Sequence, residues 1–342
     1  MRPAAPQTLP KAPPVDTTPA PLLPDVDMQE TMPTTPIGLS RAGVTRSSKA
    51  IVMRLDGAER LFHADIRCFV DLAGSQKGVH MSRFEEGIND AIDAVAAGEA
   101  VAIDVLAQRI AEAVTGAQHA RHGEVRISAR YPVTRRTPVS DVASQEMYEV
   151  FGAAAAGPRG ARRALGVAAQ GMNACPCAQG LIQTQAEAAL RADGFSADEV
   201  ARIVARVPIA THNQRAKGTL YVGAPGGLDV PADALIRIVE DSMSSEIYEL
   251  LKRSDEQYVV DRAHRRPRFV EDSVREMIRG VVDAFPALPD DAFVWAHQAN
   301  FETIHTHDVE AERTGLIGDV RAELAGAATR AGHIDLRGWL AA

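Results

Sequence analysis

The spacing of apolar residues changes period several times along the chain. From Gly43 to Leu55, and again from Ala58 to Leu72, apolar and β-branched residues come in short alternating runs. This predicts two strands joined by a turn at Asp56-Gly57. Phe84, Ile88, Ile92 and Val95 then recur at helical spacing, and Ser82 with Glu85 has the form of a capping box before them. Beyond Gly98, the spacing of Ile103, Leu106, Ile110 and Val114 predicts a second helix. Val125, Ile127, Ala129 and Tyr131 return to alternation, and a further extended segment runs to Phe151. The first half therefore reads strand-strand-helix-helix-strand-strand.

The second half repeats that order without a visible sequence repeat. An apolar extended run, Ala164 to Ala174, leads into Cys175, and a helical insert from Leu181 to Val207 follows, capped at Ser196. Thr219 to Val222 reads as a strand ended by Pro225-Gly226-Gly227. Pro231 opens a helix carrying Leu235, Ile238, Val239, Met243, Ile247 and Leu251. A polar connection, Lys252 to Arg268, precedes a helix with Phe269, Val274, Met277, Val281 and Phe285. Ala292 to His307 reads as one long extended run, and Ala311 to Ala342 as a short helix and tail.

Composition adds limits. Of the 20 prolines, 10 lie in residues 1–36, and proline lacks the N–H that a helix or central strand needs, so this segment is expected to be a disordered tail. A net charge of -8 argues against a nucleic-acid footprint, which needs a basic surface. Three cysteines are too few for a disulfide framework and fit reduced thiols in a cytoplasm. No apolar run approaches the roughly 20 residues of a membrane span.

Two of those cysteines flank Pro176, and four residues farther along, His212-Asn213-Gln214-Arg215, combine an imidazole, two amides and a guanidinium. Cys175 is a candidate thiolate, acting either as a nucleophile or with histidine or carboxylate partners on a metal; the alternative, a buried small apolar residue, weighs more for Cys177 than for Cys175. His305 and His307, two apart on an expected strand, would share a face suited to a metal or a proton relay, or to solvent. Glu256 sits in the polar connection. Glu271, behind Phe269-Val270, could accept two N–H donors from a guanine-like edge. Lys252, Arg253, Arg265, Arg266 and Arg268 form a basic cluster able to hold phosphates, or simply a solvated face. These residues alone point to a cytoplasmic, metal-dependent hydrolase of an anionic heterocycle. A non-catalytic purine- or pterin-binding protein, or a different enzyme using Cys175 as nucleophile, would also fit.

Taken together, Gly43-Val44-Thr45, Lys77 through Phe84, Cys175-Pro176-Cys177, Ala210 through Arg215, Leu250 through Glu256, Phe269-Val270-Glu271-Asp272 and Glu302 through His307 resemble the type IB GTP cyclohydrolase family, its bacterial folate-pathway enzymes and archaeal relatives. The resemblance implies an α+β tandem tunnelling fold, antiparallel sheets with helices on one face. Its modules would span 37–157 and 158–310, with a C-terminal extension over 311–342. It implies a homotetramer that takes no nucleic acid or membrane as partner. The implied reaction opens the imidazole ring of GTP by hydrolysis at a cyclic amidine, releasing formate and giving 7,8-dihydroneopterin triphosphate, first step of folate synthesis. Carried over residue by residue, Cys175, His212, Glu256 and His305 would hold a divalent metal (Zn, Fe(II) or Mn), and Cys175 and His212 would thereby serve catalysis. Glu271 would anchor the guanine edge, with Arg215, Lys252 and Arg253 binding the rest of the substrate. His307 or His80 would move protons. Two departures stand out: Ser254 replaces the usual proline, and the connection between Cys177 and His212 is long, as in the archaeal branch, for which the resemblance implies a cyclic phosphate product.

Overall fold

The computed structural model describes residues 26–55, 58–97, 102–227, 230–327 and 334–342. The expected turn at Asp56-Gly57, the break at Gly98, the side chain of Val95 and the first 25 residues of the proline-rich segment lie outside the described residues. In chain order the elements are β1 (Leu39–Leu55), β2 (Ala58–Leu72), α1 (Met81–Ala97), α2 (Ile103–Ala117), β3 (Gly123–Arg136), β4 (Ala143–Gly157), β5 (Gly160–Ala174), α3 (Pro176–Ala192), α4 (Ala197–Arg206) and β6 (Asn213–Gly223). There follow α5 (Ala232–Ser242), β7 (Ser245–Glu246), α6 (Arg253–Arg265), α7 (Val270–Ala284), β8 (Phe293–Asn300), β9 (Val309–Leu316), α8 (Ile317–Leu324) and α9 (Leu336–Leu340). Hydrogen bonding orders the strands β1-β2-β3-β4-β5-β6-β8-β9, with β7 added on β5. Among the described residues no helix is long and apolar enough to cross a membrane.

The chain divides into two compact units, Met1–Ile127 with Ala153–Ala161, and Ser128–Gly152 with Arg162–Ala342. In the first, β1 and β2 pair antiparallel, with Ile51 opposite Phe62 and Val44 opposite Cys68. Of the residues whose spacing predicts the two helices, Phe84, Ile88, Ile103, Leu106, Ile110 and Val114 are buried and Ile92 is half-buried. Ser82 lies inside the first turn of α1, which already begins at Met81, and does not cap it. The entry is held instead by Gln118, whose amide bonds both the N–H and the carbonyl of His80. Residues 26–36, expected as tail, include a 3-10 turn at Met28–Glu30 capped by Asp27, and Lys77 and Gly78 donate their N–H groups to the Gln29 carbonyl.

In the second unit β5, β6, β8 and β9 run antiparallel in that order. Ala216, Leu220 and Val222 of β6 alternate as buried residues with more open neighbours, the pattern of a half-covered sheet. Their cover is α5 and α7, through Leu235, Val239, Met277 and Val281. Gly218 makes this approach possible: a Cβ there would stand 2.5 Å from a methyl of Val239.

Four segments differ from expectation. The helix opened by Pro231 ends at Ser242, so Met243, Ile247 and Leu251 lie beyond it, with the short strand β7 at Ser245–Glu246 between them. Residues 253–265 form α6 rather than a polar connection; its buried stripe is only Asp255, Val259 and Ala263, too thin to show as hydrophobic periodicity. The extended run ends at Asn300, not His307. Phe301 N–H donates to Arg215 carbonyl, Glu302 N–H is taken by the Asp308 carboxylate, and 301–308 folds back as a loop, so His305 and His307 do not share a strand face. Beyond it, β9 pairs along β8 from Val309 opposite Asn300 to Leu316 opposite Phe293. Its charged sequence is that of an edge strand. Past β9 the expected short helix is there, as α8, and is followed by α9.

Candidate active site

β5 delivers Cys175 to the end of the sheet, where the chain turns into α3. Cys175 is the N-cap of that helix: its Sγ accepts the Ala178 N–H at 3.5 Å, and Pro176 occupies the first helical position, where a missing N–H costs nothing. The turn is strapped on both sides. Cys175 N–H donates to the His212 carbonyl, Thr211 Oγ1 donates to the Cys175 carbonyl at 2.8 Å, and Arg268 N–H donates to the Ala174 carbonyl. The two halves of the unusual stretch, separated by the α3–α4 insert, thus meet through backbone bonds.

His212 lies just before β6 with its side chain only 13% exposed, and its Nδ1 is 3.8 Å from a carboxylate oxygen of Glu302, itself 6% exposed. That separation is beyond hydrogen-bonding reach. The other Glu302 oxygen accepts from Gln214 Nε2 at 3.0 Å. His212 Nδ1, Glu302 Oε2 and Gln214 Oε1 are buried without a hydrogen-bond partner, an arrangement that ordinarily costs about 1–3 kcal/mol per group. The His305 ring stands edge-on to His212 with centroids 6.3 Å apart, and stacks on His307 at 5.3 Å.

These side chains line a cavity of about 400 Å³. Cys175, His212, Glu302, His305 and His307 stand on it, together with Glu271 and Phe269 from the start of α7 and Arg268 just before them. Glu271 is in the first turn of α7 and is exposed. Arg268 is committed to structure, donating to the Ser242 and Asp241 carbonyls and pairing with Glu276 at 3.2 Å.

The chain matches the model of the family "Type I GTP cyclohydrolase folE2" over residues 23–311. It belongs to that family. It is 39% identical over 305 residues to the GTP cyclohydrolase MptA of Methanococcus aeolicus, covering 87% of this chain and 99% of that one. With the GTP cyclohydrolase MptA of Methanosarcina acetivorans it shares 38% over 308 residues, 87% of this chain and 96% of that one. The family is thus the folE2 type represented by MptA, and the chain is a GTP cyclohydrolase by family. Among solved structures it is similar to a hyper-thermostable AgUricase mutant, at 11% identity and a TM-score of 0.50, covering 87% of this chain and 95% of that chain. That likeness speaks for the tunnelling fold alone.

Not every expected site residue comes to the cavity of this folE2-family chain. Glu256, Lys252 and Arg253 are exposed at the start of α6 and do not line it. Arg215 lines a separate polar cavity with Lys217, and its guanidinium donates to Gln170. His80 belongs to the first unit, where its Nε2 is 3.5 Å from Asp27 and 3.4 Å from Glu30. The residue that sequence reasoning passed over is Glu302. It stands three residues before His305 in a motif already singled out, yet on an extended run it would be one more surface carboxylate. Only the loop after Asn300 turns it inward.

Proposed function

We propose that the protein hydrolyses GTP to formate and a dihydroneopterin phosphate. The observation that carries this is the meeting, in one cavity, of a thiol, three imidazoles and a buried carboxylate with Glu271. Cys175, His212, Glu302 and His305 are of donor types that suit a divalent cation such as Zn, Fe(II) or Mn; no three of their donor atoms lie within 4.8 Å of one another as the side chains stand, but the unpartnered Nδ1 of His212 and Oε2 of Glu302, 3.8 Å apart, are atoms that a cation would satisfy. Glu256, carried over from the family resemblance, finds no support as a ligand in the geometry of one chain. A bound divalent cation makes hydroxide available near neutral pH, as attack on C8 of guanine requires.

The remaining work falls to the chain's own side chains. Glu271, at the start of α7, accepts the N1 and 2-amino protons of guanine and so aims C8 toward Cys175 and His212. His307, stacked on His305, is placed to carry a proton to the departing ring nitrogen as C8 leaves as formate. Arg215, Lys252 and Arg253, outside this cavity, remain candidates for the phosphates only through a second copy of the chain. A homotetramer belongs to the same reading, and sedimentation measures it.

The triphosphate is the first reading of the product. The helical insert α3–α4 and the MptA relatives, which the chain matches over nearly their full length, favour the cyclic phosphate as the second. Purified protein incubated with GTP and Mn(II) or Fe(II) should release formate and develop pterin fluorescence, and mass spectrometry then separates the two products. Absence of formate with metal shown to be bound would overturn the proposal. Cys175→Ala should abolish turnover and weaken metal binding.

A further inference from the structure

Beneath the cavity lies a buried amide that its chemistry does not use. Asn173, two residues before Cys175, is 0% exposed. Its Oδ1 accepts the Ser244 N–H at 3.0 Å. Its Nδ2 donates to Ser273 Oγ and to Asn300 Oδ1, both at 3.1 Å. Ser273 is two residues after Glu271, and Asn300 two before Glu302. Ser244 closes the ring by accepting the Ala174 N–H through its hydroxyl. Ser273, Asn300 and Ser244 are each at most 2% exposed.

We infer that Asn173 is a positioning residue: it sets the distance between the carboxylate that anchors the base and the Cys175–His212–Glu302 cluster. This rests on the reading of the cavity as a cyclohydrolase site. One side chain ties together the end of β5, the first turn of α7 and the end of β8, the three places from which Cys175, Glu271 and Glu302 are presented. The tie needs an amide. One acceptor and two donors are used, so an aspartate would set an oxygen against Asn300 Oδ1, and an apolar residue would leave Ser244 N–H buried and unpaired. Such a connected, buried polar network is rigid, and a displacement of about 1 Å between bound substrate and reacting groups costs on the order of 100-fold in rate.

The test compares wild type, Asn173→Ala and Ser273→Ala, the last removing a single buried hydroxyl and keeping the fold accessible if the first variant does not fold. Turnover of GTP, KM, bound metal per chain and Tm are measured for each. For Asn173→Ala, kcat should fall about 100-fold with KM within threefold and metal content unchanged; for Ser273→Ala it should fall roughly 10-fold, since one of the three ties is lost. In the double variant Asn173→Ala/Glu271→Gln, kcat should be no lower than in the worse single variant. Folded, metal-loaded variants that keep kcat within twofold, losses that track lost metal, or losses that multiply with Glu271→Gln would each overturn the inference. Failure of wild type to release formate would sink the cyclohydrolase reading alone. The tie is then judged by guanosine affinity with and without Mn(II), where coupling present in wild type should vanish in both variants, and equal coupling in all three overturns it.

Discussion

His212 presents a buried ring nitrogen without a hydrogen-bond partner, and a Glu302 oxygen 3.8 Å away is equally unsatisfied. If these two atoms share a cation, Glu302→Gln should weaken metal binding by at least the roughly 10- to 100-fold lost when a group that merely supports a ligand is removed. Competition with a chromogenic chelator measures this, and unchanged affinity would remove Glu302 from the ligand set. The cysteines separate just as sharply by environment. Burial, with smaller contributions from Glu124 and Glu85, pushes the Cys68 thiol up to about 12, whereas Cys177 is exposed. Since the thiolate is the reactive form, Cys177 should titrate with a thiol reagent at pH 8 while Cys68 reacts only after unfolding. Equal rates in the native protein would contradict the packing of β2.

Among the elements, α6 is anchored at its start by a buried carboxylate. Asp255 is 0% exposed and accepts N–H groups from Val139, Ser140 and Lys252 and the Ser140 hydroxyl. Burial works to raise its pKa, but the bonds from Ser140, Lys252 and Val139 outweigh it and hold the carboxyl well below its usual range. A carboxyl depressed in the folded state stabilises above its unfolded pKa, and that contribution is lost as pH falls through the ordinary range near 3.8 toward the folded value. Asp255→Asn should therefore lower Tm at neutral pH and flatten its fall in acid, as a calorimetric pH series would show. An unchanged acid limb would mean the 139–140 turn is held by other contacts. In the insert, Ser196 caps α4 as expected, and with Glu199 it forms a capping box. Ser196→Ala should cost α4 about 1 kcal/mol, visible as faster amide exchange in 197–206, with GTP turnover unaltered.

For the molecule as a whole, the C-terminal residues read as an appendix, and the structure makes them part of the second unit's core. Trp339 is 1% exposed, stacks on Phe293 at 5.6 Å, and donates its indole N–H to the Asp291 carbonyl. Gly223 leaves room for it: a Cβ there would lie 2.7 Å from the indole ring. Trp339→Ala should cost about 3–5 kcal/mol, read as a shift of the urea midpoint. A shift near zero would show that α9 merely rests on the sheet.

The sequence by itself determined the alternation of strands and helices, the helical insert and the residues that mark the family. Those signals are local, carried by side-chain period and by short motifs. Tertiary structure decided which of the candidate ligands meet. His305 reaches His212 because the chain leaves the sheet at Asn300, a turn set by Arg215 carbonyl and Asp308, and the same turn buries Glu302. Glu256 stays at the surface because the narrow buried stripe of α6 runs through Asp255, Val259 and Ala263 and leaves it on the open side. Asn173 reads as one polar residue in an apolar strand until Ser273 and Asn300 close around it from 100 and 127 residues away. Bonds over such separations follow from packing, which no spacing along the chain encodes.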